Sequence, residues 1–188
     1  MESLLISAGV VALAEIADKT QLLAFVLAAR FKKPIPIIAG IFVATVINHG
    51  LAGIVGAWIT SNVRPELLRW ILGISFIGMA VWTLVPDKAG DEESLAAKRF
   101  GIFGATLIAF FLAEMGDKTQ LATIAMAARF GTPVTVVIGT TIGMMLADVP
   151  AVLVGDKFSE KIPVRLVHTL AALIFAVLGA LTLLGIGG

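Results

Sequence analysis

One charged heptapeptide occurs twice in this chain, each time inside an apolar stretch. The copies are EIADKTQ at residues 15–21 and EMGDKTQ at residues 114–120. The whole chain is 59% hydrophobic and 14% charged with a mean hydropathy of +1.01, a composition typical of integral membrane proteins. Ionisable groups are costly in hydrocarbon, so within a membrane span they face the protein interior or water. The duplicated motif therefore predicts a functional polar site inside the membrane.

Six apolar segments are long enough to cross a bilayer, since an α-helical span uses about 20 residues. They cover residues 4–29, 35–60, 67–85, 101–128, 134–154 and 166–186, and prolines mark several of their starts. An acidic linker at residues 87–100 separates a first unit, 1–86, from a second, 101–188. The prediction is an all-α integral membrane protein with six transmembrane helices and little mass outside the membrane.

The two halves of the chain are an internal duplication. At an offset of 99 residues, Leu13–Gly40 and Leu112–Gly139 agree at 14 of 28 positions. Each repeat then contains three helices. Because an odd number of spans reverses the direction of the second copy, the repeats are predicted to be inverted about an axis in the membrane plane, as in many secondary transporters.

The basic residues of the joins predict the orientation. Nine lysines and arginines lie in the joins on the side of the acidic linker, and three lie on the opposite side. The positive-inside rule therefore places the linker in the cytoplasm and both termini outside. The start of the chain lacks a basic, cleavable secretory signal, so the first span is expected to be retained, in a membrane that we expect to be a bacterial plasma membrane.

The motifs offer ligands for a hard divalent cation. On a continuous helix, Glu and Asp three residues apart share a face, and Lys four residues after Glu can lean back toward it. Ca²⁺, Mg²⁺ and Mn²⁺ prefer oxygen ligands, and a chain without cysteine has no thiolate site. If all six charges are present, four acids and two lysines sum to minus two, which one divalent cation or two protons would neutralise. The ligand set predicted here is Glu15, Asp18, Glu114 and Asp117, with possible support from Thr20, Gln21, Thr119 and Gln120.

Other polar residues within the spans are weaker candidates. Asn48 and His49 lie in the second span, and the offset of 99 sets His49 opposite Asp148 in the fifth. A lone buried histidine is more often packing than ligand, whereas Asp148 has no obvious sequence neighbour as a partner. Gly40 and Gly139 predict close helix packing.

A structural role for these charges is the main alternative, because ion pairs between membrane helices can simply hold helices together. Duplication of the whole cluster favours a function. Within the cluster, Lys19 and Lys118 are the residues most suited to a structural role, as internal counter-ions that reduce repulsion between carboxylates.

The paired motifs resemble the signature E-x-G-D-[KR]-[TS] of the Gdt/TMEM-type cation/proton exchangers, a family grouped with the LysE superfamily and including MneA-like bacterial manganese exporters. The resemblance covers nearly the whole chain. It implies export of Mn²⁺ or Ca²⁺ from the cytosol in exchange for protons by alternating access, with the four motif acids as ligands. One departure is Ala17, which stands where the signature has Gly, whereas the second copy keeps Gly116. The two half-sites are therefore expected to be unequal.

The sequence is also compatible with other functions. The runner-up is an exporter of small organic cations such as basic amino acids, because carboxylates could also bind an ammonium group. An enzyme is not expected, since no nucleophile and base pair or cofactor motif accompanies the acids, and neither a resident cofactor nor a nucleic-acid partner is expected.

Overall fold

The computed structural model describes residues 1–16, 18–84, 94–154 and 164–185, and the secondary structure in these ranges is entirely helical. Half of the predicted linker, residues 87–93, and the motif residue Ala17 lie outside them. The described helices are α1 (Glu2–Glu15), α2 (Lys19–Phe31), α3 (Pro34–Asn62), α4 (Pro65–Thr83), α5 (Ser94–Glu114), α6 (Lys118–Phe130), α7 (Pro133–Val154) and α8 (Val164–Leu183). The all-α prediction is confirmed.

Several of these helices could cross a membrane by length and composition. In the described ranges, α3, α4 and α7 each pass this criterion alone, and the bent pair of α5 and α6 adds a fourth candidate if it counts as one span. Proline occupies the first turn of α3 and of α4, where its fixed φ favours helix initiation and its missing N–H is not needed.

The first and fourth predicted spans are not continuous helices, so that part of the prediction was wrong. Each is interrupted inside the charged motif: α1 ends at Glu15 and α5 ends at Glu114. The second interruption bends the chain by 69° between α5 and α6. Gly116 has a φ of +76°, which is readily accessible only to glycine, and it ends the helical path there. Asp18 and Asp117 follow in extended conformation as the N-caps of α2 and α6.

The packing of the two halves repeats at the same offset of 99 residues as the sequence. A Cβ added to Gly40 in α3 would lie 2.9 Å from the carbonyl oxygen of Phe103, and one added to Gly139 in α7 would lie 2.6 Å from that of Leu4. These contacts join α3 to α5 and α7 to α1. The close packing predicted for the glycine pair is therefore present in both halves.

Helices α4 and α8 bring equivalent residues of the two halves into direct contact. The rings of Phe76 and Phe175, which are 99 residues apart, stack with centroids 6.4 Å apart and an interplanar angle of 25°. Both rings are fully buried within one apolar cluster that also includes residues of α1, α6 and α7. This pairing makes the α4 and α8 contact a junction between the two repeats.

Gly143 allows a still closer approach between α7 and α1, and we expect Gly143→Ala to destabilise the protein. The added Cβ would clash with the carbonyl oxygen of Ala8 and lie 3.0 Å from the nitrogen of Ala12, so the two backbones would have to separate. Overpacking of this kind costs about 1–3 kcal/mol. The measurement is the midpoint of thermal aggregation in detergent, followed by gel filtration.

Gly9 is the matched control, because it lies in α1 and a Cβ there has no neighbour within 4 Å. Gly9→Ala should be neutral or stabilising, since alanine has the higher helix propensity. Equal midpoints for the two alanine variants would show that the close approach at Gly143 does not contribute to stability.

Candidate functional site

The two helix interruptions place all four motif carboxylates in the protein interior. Glu15, Asp18 and Glu114 have no exposed surface, and Asp117 is 2% exposed. The charges of the other three lie close enough to Glu15 to interact with it. The structure therefore brings together the acids that the motifs predicted as one site.

Each motif lysine forms an ion pair with the aspartate of the other repeat. Lys19 Nζ lies 3.2 Å from Asp117 Oδ1, and Lys118 Nζ contacts Asp18 Oδ1. The sequence predicted that each lysine can lean back toward the glutamate of its own motif, and it did not predict these ion pairs with aspartate across the repeats. That prediction assumed a continuous helix, whereas the interruption brings each lysine within reach of an aspartate of the other repeat.

The two motif glutamines also reach across to the other repeat. Gln21 Nε2 donates to the carbonyl oxygen of Ala147 in α7 at 3.0 Å, and Gln120 Nε2 donates to Asn48 Oδ1 in α3 at 3.3 Å. Positions 48 and 147 are equivalent at the offset of 99. The glutamines therefore link each interrupted helix to the same place on the long helix of the opposite half.

The turn of the second motif is fixed by additional hydrogen bonds. The backbone N–H of Gly116 donates to Gln120 Oε1 at 2.7 Å, and the Thr119 hydroxyl donates to Glu114 Oε2 at 2.8 Å. Asn48 Nδ2 completes the chain of contacts by donating to the carbonyl oxygen of Phe111 in α5 at 3.1 Å. Thr119, Gln120 and Asn48 thus hold the end of α5 and the start of α6 in position around Glu114.

Asp148 belongs to the same acidic cluster. It is fully buried in α7, and its charge interacts with those of Glu15 and Glu114. Within the described residues, no hydrogen-bond donor satisfies either of its carboxylate oxygens. Counting only the motif residues gave a formal charge of minus two, and Asp148 makes it minus three when every acid and lysine is ionised.

His49 and Thr20 are also fully buried. Across the part of the chain that the structure covers, neither ring nitrogen of His49 has a hydrogen-bond partner. Its position in α3 is equivalent to that of Asp148 in α7, so the two halves contribute an imidazole and a carboxylate from corresponding positions. This difference makes the halves of the site chemically unequal.

The carboxylates of the cluster do not converge on one point. Considering only the described residues, no group of three or more acidic or histidine side chains is arranged to hold a metal ion. Asp18 and Asp117 instead contact lysines, whereas both oxygens of Glu15 and Glu114 Oε1 lack hydrogen-bond partners. Binding a cation at this cluster would require side chains to move.

Comparison with known proteins identifies the family. The family described as "Divalent cation/proton antiporter GDT1" matches residues 3–91 and 102–186. The chain belongs to the GDT1 family. A Vibrio cholerae relative named "Putative manganese exporter" is 48% identical over 183 residues, covering 97% of this chain and 90% of its own. The "GDT1-like protein 3" of Oryza sativa subsp. indica is 28% identical over 199 residues, covering 93% of this chain and 71% of its own.

The resemblance inferred from the two motifs is thereby confirmed, and this GDT1 chain is a transporter by family and not a member of an enzyme class. Apolar helices and family membership together identify an integral membrane protein. No solved structure matches it.

Proposed function

We propose that this protein exports Mn²⁺ from the cytosol in exchange for protons. The observation that carries the proposal is the collection of five buried carboxylates where two interrupted helices meet, in a chain of a divalent cation/proton antiporter family. The choice of Mn²⁺ over Ca²⁺ draws on the name of the Vibrio cholerae relative. It is also supported by the buried imidazole of His49, because Ca²⁺ prefers oxygen ligands throughout whereas Mn²⁺ tolerates nitrogen.

In this proposal, the motif acids Glu15, Asp18, Glu114 and Asp117 are the ligands, and Asp148 joins them. Carboxylates bind cations in their deprotonated form, so Mn²⁺ and protons compete for the same oxygens. Protons leave the carboxylates when Mn²⁺ binds, and Mn²⁺ leaves when protons bind. This exchange couples the Mn²⁺ flux to the proton flux without a separate proton pathway. At the ends of α1 and α5, the carbonyl oxygens of Glu15 and Glu114 accept from the N–H groups of Asp18 and Asp117 at 3.0 and 3.2 Å, and the interrupted helices of other transporters use such terminal carbonyls as ligands.

We further propose that six spans form two inverted repeats and that access alternates between the two sides of the membrane. Three features support this arrangement: the odd number of apolar segments per repeat, the paired contacts at the offset of 99 residues, and the ion pairs that cross between repeats. In the orientation proposed from the basic joins, the central linker lies in the cytoplasm and both termini lie outside.

The test is transport by the purified protein in liposomes that carry a pH gradient. Mn²⁺ uptake should depend on the gradient, stop when a proton ionophore collapses it, and exceed the uptake of lysine. Glu15→Gln and Glu114→Gln should reduce uptake to that of protein-free liposomes, because each removes a charged ligand while keeping the side-chain shape.

Glu66→Gln is the matched control, since Glu66 lies in the first turn of α4 with an exposed side chain. It should transport like the unaltered protein. Uptake of Ca²⁺ in preference to Mn²⁺ would reject the proposed selectivity, and proton-coupled uptake of lysine instead of either metal ion would establish the organic cation exporter in its place.

A further inference from the structure

The two ion pairs of the cluster are equivalent in sequence but differ in how much of each lysine side chain lies at the protein surface. The side chain of Lys19 is 28% exposed, whereas that of Lys118 is completely buried. Their aspartate partners are both buried. One end of the cluster therefore holds a lysine whose side chain lies partly at the protein surface, and the other end holds a lysine that is enclosed.

Only one of the two carboxylate oxygens of Asp117 contacts Lys19. Oδ1 accepts the contact from Lys19, while Oδ2 is buried and, over the described residues, has no hydrogen-bond partner. Glu114 Oε1, at the end of the preceding helix, is also buried and, over the described residues, has no hydrogen-bond partner. The second motif thus presents two unsatisfied carboxylate oxygens on either side of the Gly116 turn, next to the more exposed of the two lysines.

The lysines and a metal cation are chemical competitors for these carboxylates. A partly exposed ion pair is weakly held because its ammonium group regains hydration when it leaves. Separating a buried pair removes an ammonium from its carboxylate without water to replace it, which is far more costly. The Lys19 and Asp117 pair should therefore open before the Lys118 and Asp18 pair.

We propose that Lys19 is a tethered competitor of the transported cation. It holds Asp117 when no cation is bound, and the cation enters the cluster at this end by displacing the Lys19 ammonium into water. Lys118 keeps its contact with Asp18 and serves as the fixed counter-ion. The proposal rests on the proposed cation transport and names the residue that sets the apparent affinity at the same site.

The first test measures the reactivity of Lys19 in the unaltered protein in detergent. A water-soluble succinimidyl ester acylates free amines, and peptide mass spectrometry reports the rate at Lys19 with and without Mn²⁺. Saturating Mn²⁺ should accelerate acylation of Lys19 severalfold, because the displaced amine enters water, and should have no such effect in Glu114→Gln. An unchanged or slower rate in a preparation that transports Mn²⁺ overturns the proposal.

The second test compares the Mn²⁺ concentration for half-maximal transport in Lys19→Gln and Lys19→Arg. Glutamine removes the competing charge, so half-saturation should fall about fivefold, in proportion to the strength of a partly exposed ion pair. Arginine keeps the charge and should leave half-saturation within about twofold of the original value. An unchanged or higher value in Lys19→Gln would show that Lys19 shapes the site and does not compete for it.

These outcomes separate this inference from the proposed function. If the unaltered protein moves no divalent cation, the proposed function is rejected. If it transports Mn²⁺ but Lys19 shows neither effect, the function stands and the competitor role is rejected.

Discussion

Asp18→Asn is expected to reduce the yield of folded protein severely. The replacement leaves the completely buried ammonium group of Lys118 without the carboxylate that faces it. Removing one partner of a buried ion pair costs about 3–5 kcal/mol, which is a large part of the stability of a typical domain. The measurement is the amount of monodisperse protein recovered in detergent, together with its thermal midpoint.

A second replacement tests whether the buried ammonium that has lost this carboxylate is the cause. Asp18→Asn combined with Lys118→Met removes both charges, and a similarly sized apolar side chain then fills the buried space, so yield and midpoint should recover. Asp117→Asn is the matched single variant at the equivalent position. Because Lys19 is partly exposed, Asp117→Asn should lower the free energy of unfolding by no more than about 1 kcal/mol. Equal losses in the two aspartate variants would contradict the difference in burial between the pairs.

The members of the acidic cluster could be predicted from the sequence because ionisable residues are costly in membrane hydrocarbon and therefore face the protein interior or water. Glu15, Asp18, Glu114 and Asp117 lie at corresponding positions of a duplicated segment, and the structure places their charges in one cluster. The starts of α3 and α4 were also predictable, since proline at 34 and 65 marks a helix N-terminus.

The interruptions of the first and fourth predicted spans were missed because hydropathy averages over a whole segment. Each interruption is a gap of only three residues between consecutive helices, and the sequence is apolar both before and after the motif. The signal was present in Gly116 followed by Asp117, a residue type suited to positive φ and one suited to an N-cap. In this structure the Asp117 side chain does not cap the helix but contacts Lys19.

The pairing of charges could not be predicted, because it depends on which helices meet and not on spacing along the chain. Lys19 and Asp117 are far apart in sequence and become neighbours only when the two interrupted helices pack together. The same is true of Asp148, whose place in the cluster requires α7 to pack against the first repeat. A charge count restricted to the motifs therefore omitted one carboxylate.

Asp148→Asn is expected to abolish most transport while leaving the fold intact or more stable. Asp148 is buried beside Glu15 and Glu114, and among the described residues no donor compensates its two carboxylate oxygens. Asparagine has nearly the same shape but carries no charge, so it relieves repulsion from its acidic neighbours and adds an N–H₂ donor. In buffer free of divalent cations, the thermal midpoint should rise, by the equivalent of about 1 kcal/mol.

The same replacement weakens the cluster as a binding site for a divalent cation. Ligand binding to the folded state stabilises a protein by about 2.7 kcal/mol at one hundred times the dissociation constant, so Mn²⁺ should raise the midpoint of the unaltered protein. In Asp148→Asn that increase should shrink, and proton-driven Mn²⁺ uptake in liposomes should fall at least about tenfold, as expected when a metal site loses a supporting ligand. Glu66→Gln, at an exposed acid of α4, should retain both responses. If Asp148→Asn keeps the full Mn²⁺-dependent stabilisation and uptake, the cation is bound by the motif acids without Asp148. The formal charge of the binding site is then the minus two of the motif residues alone.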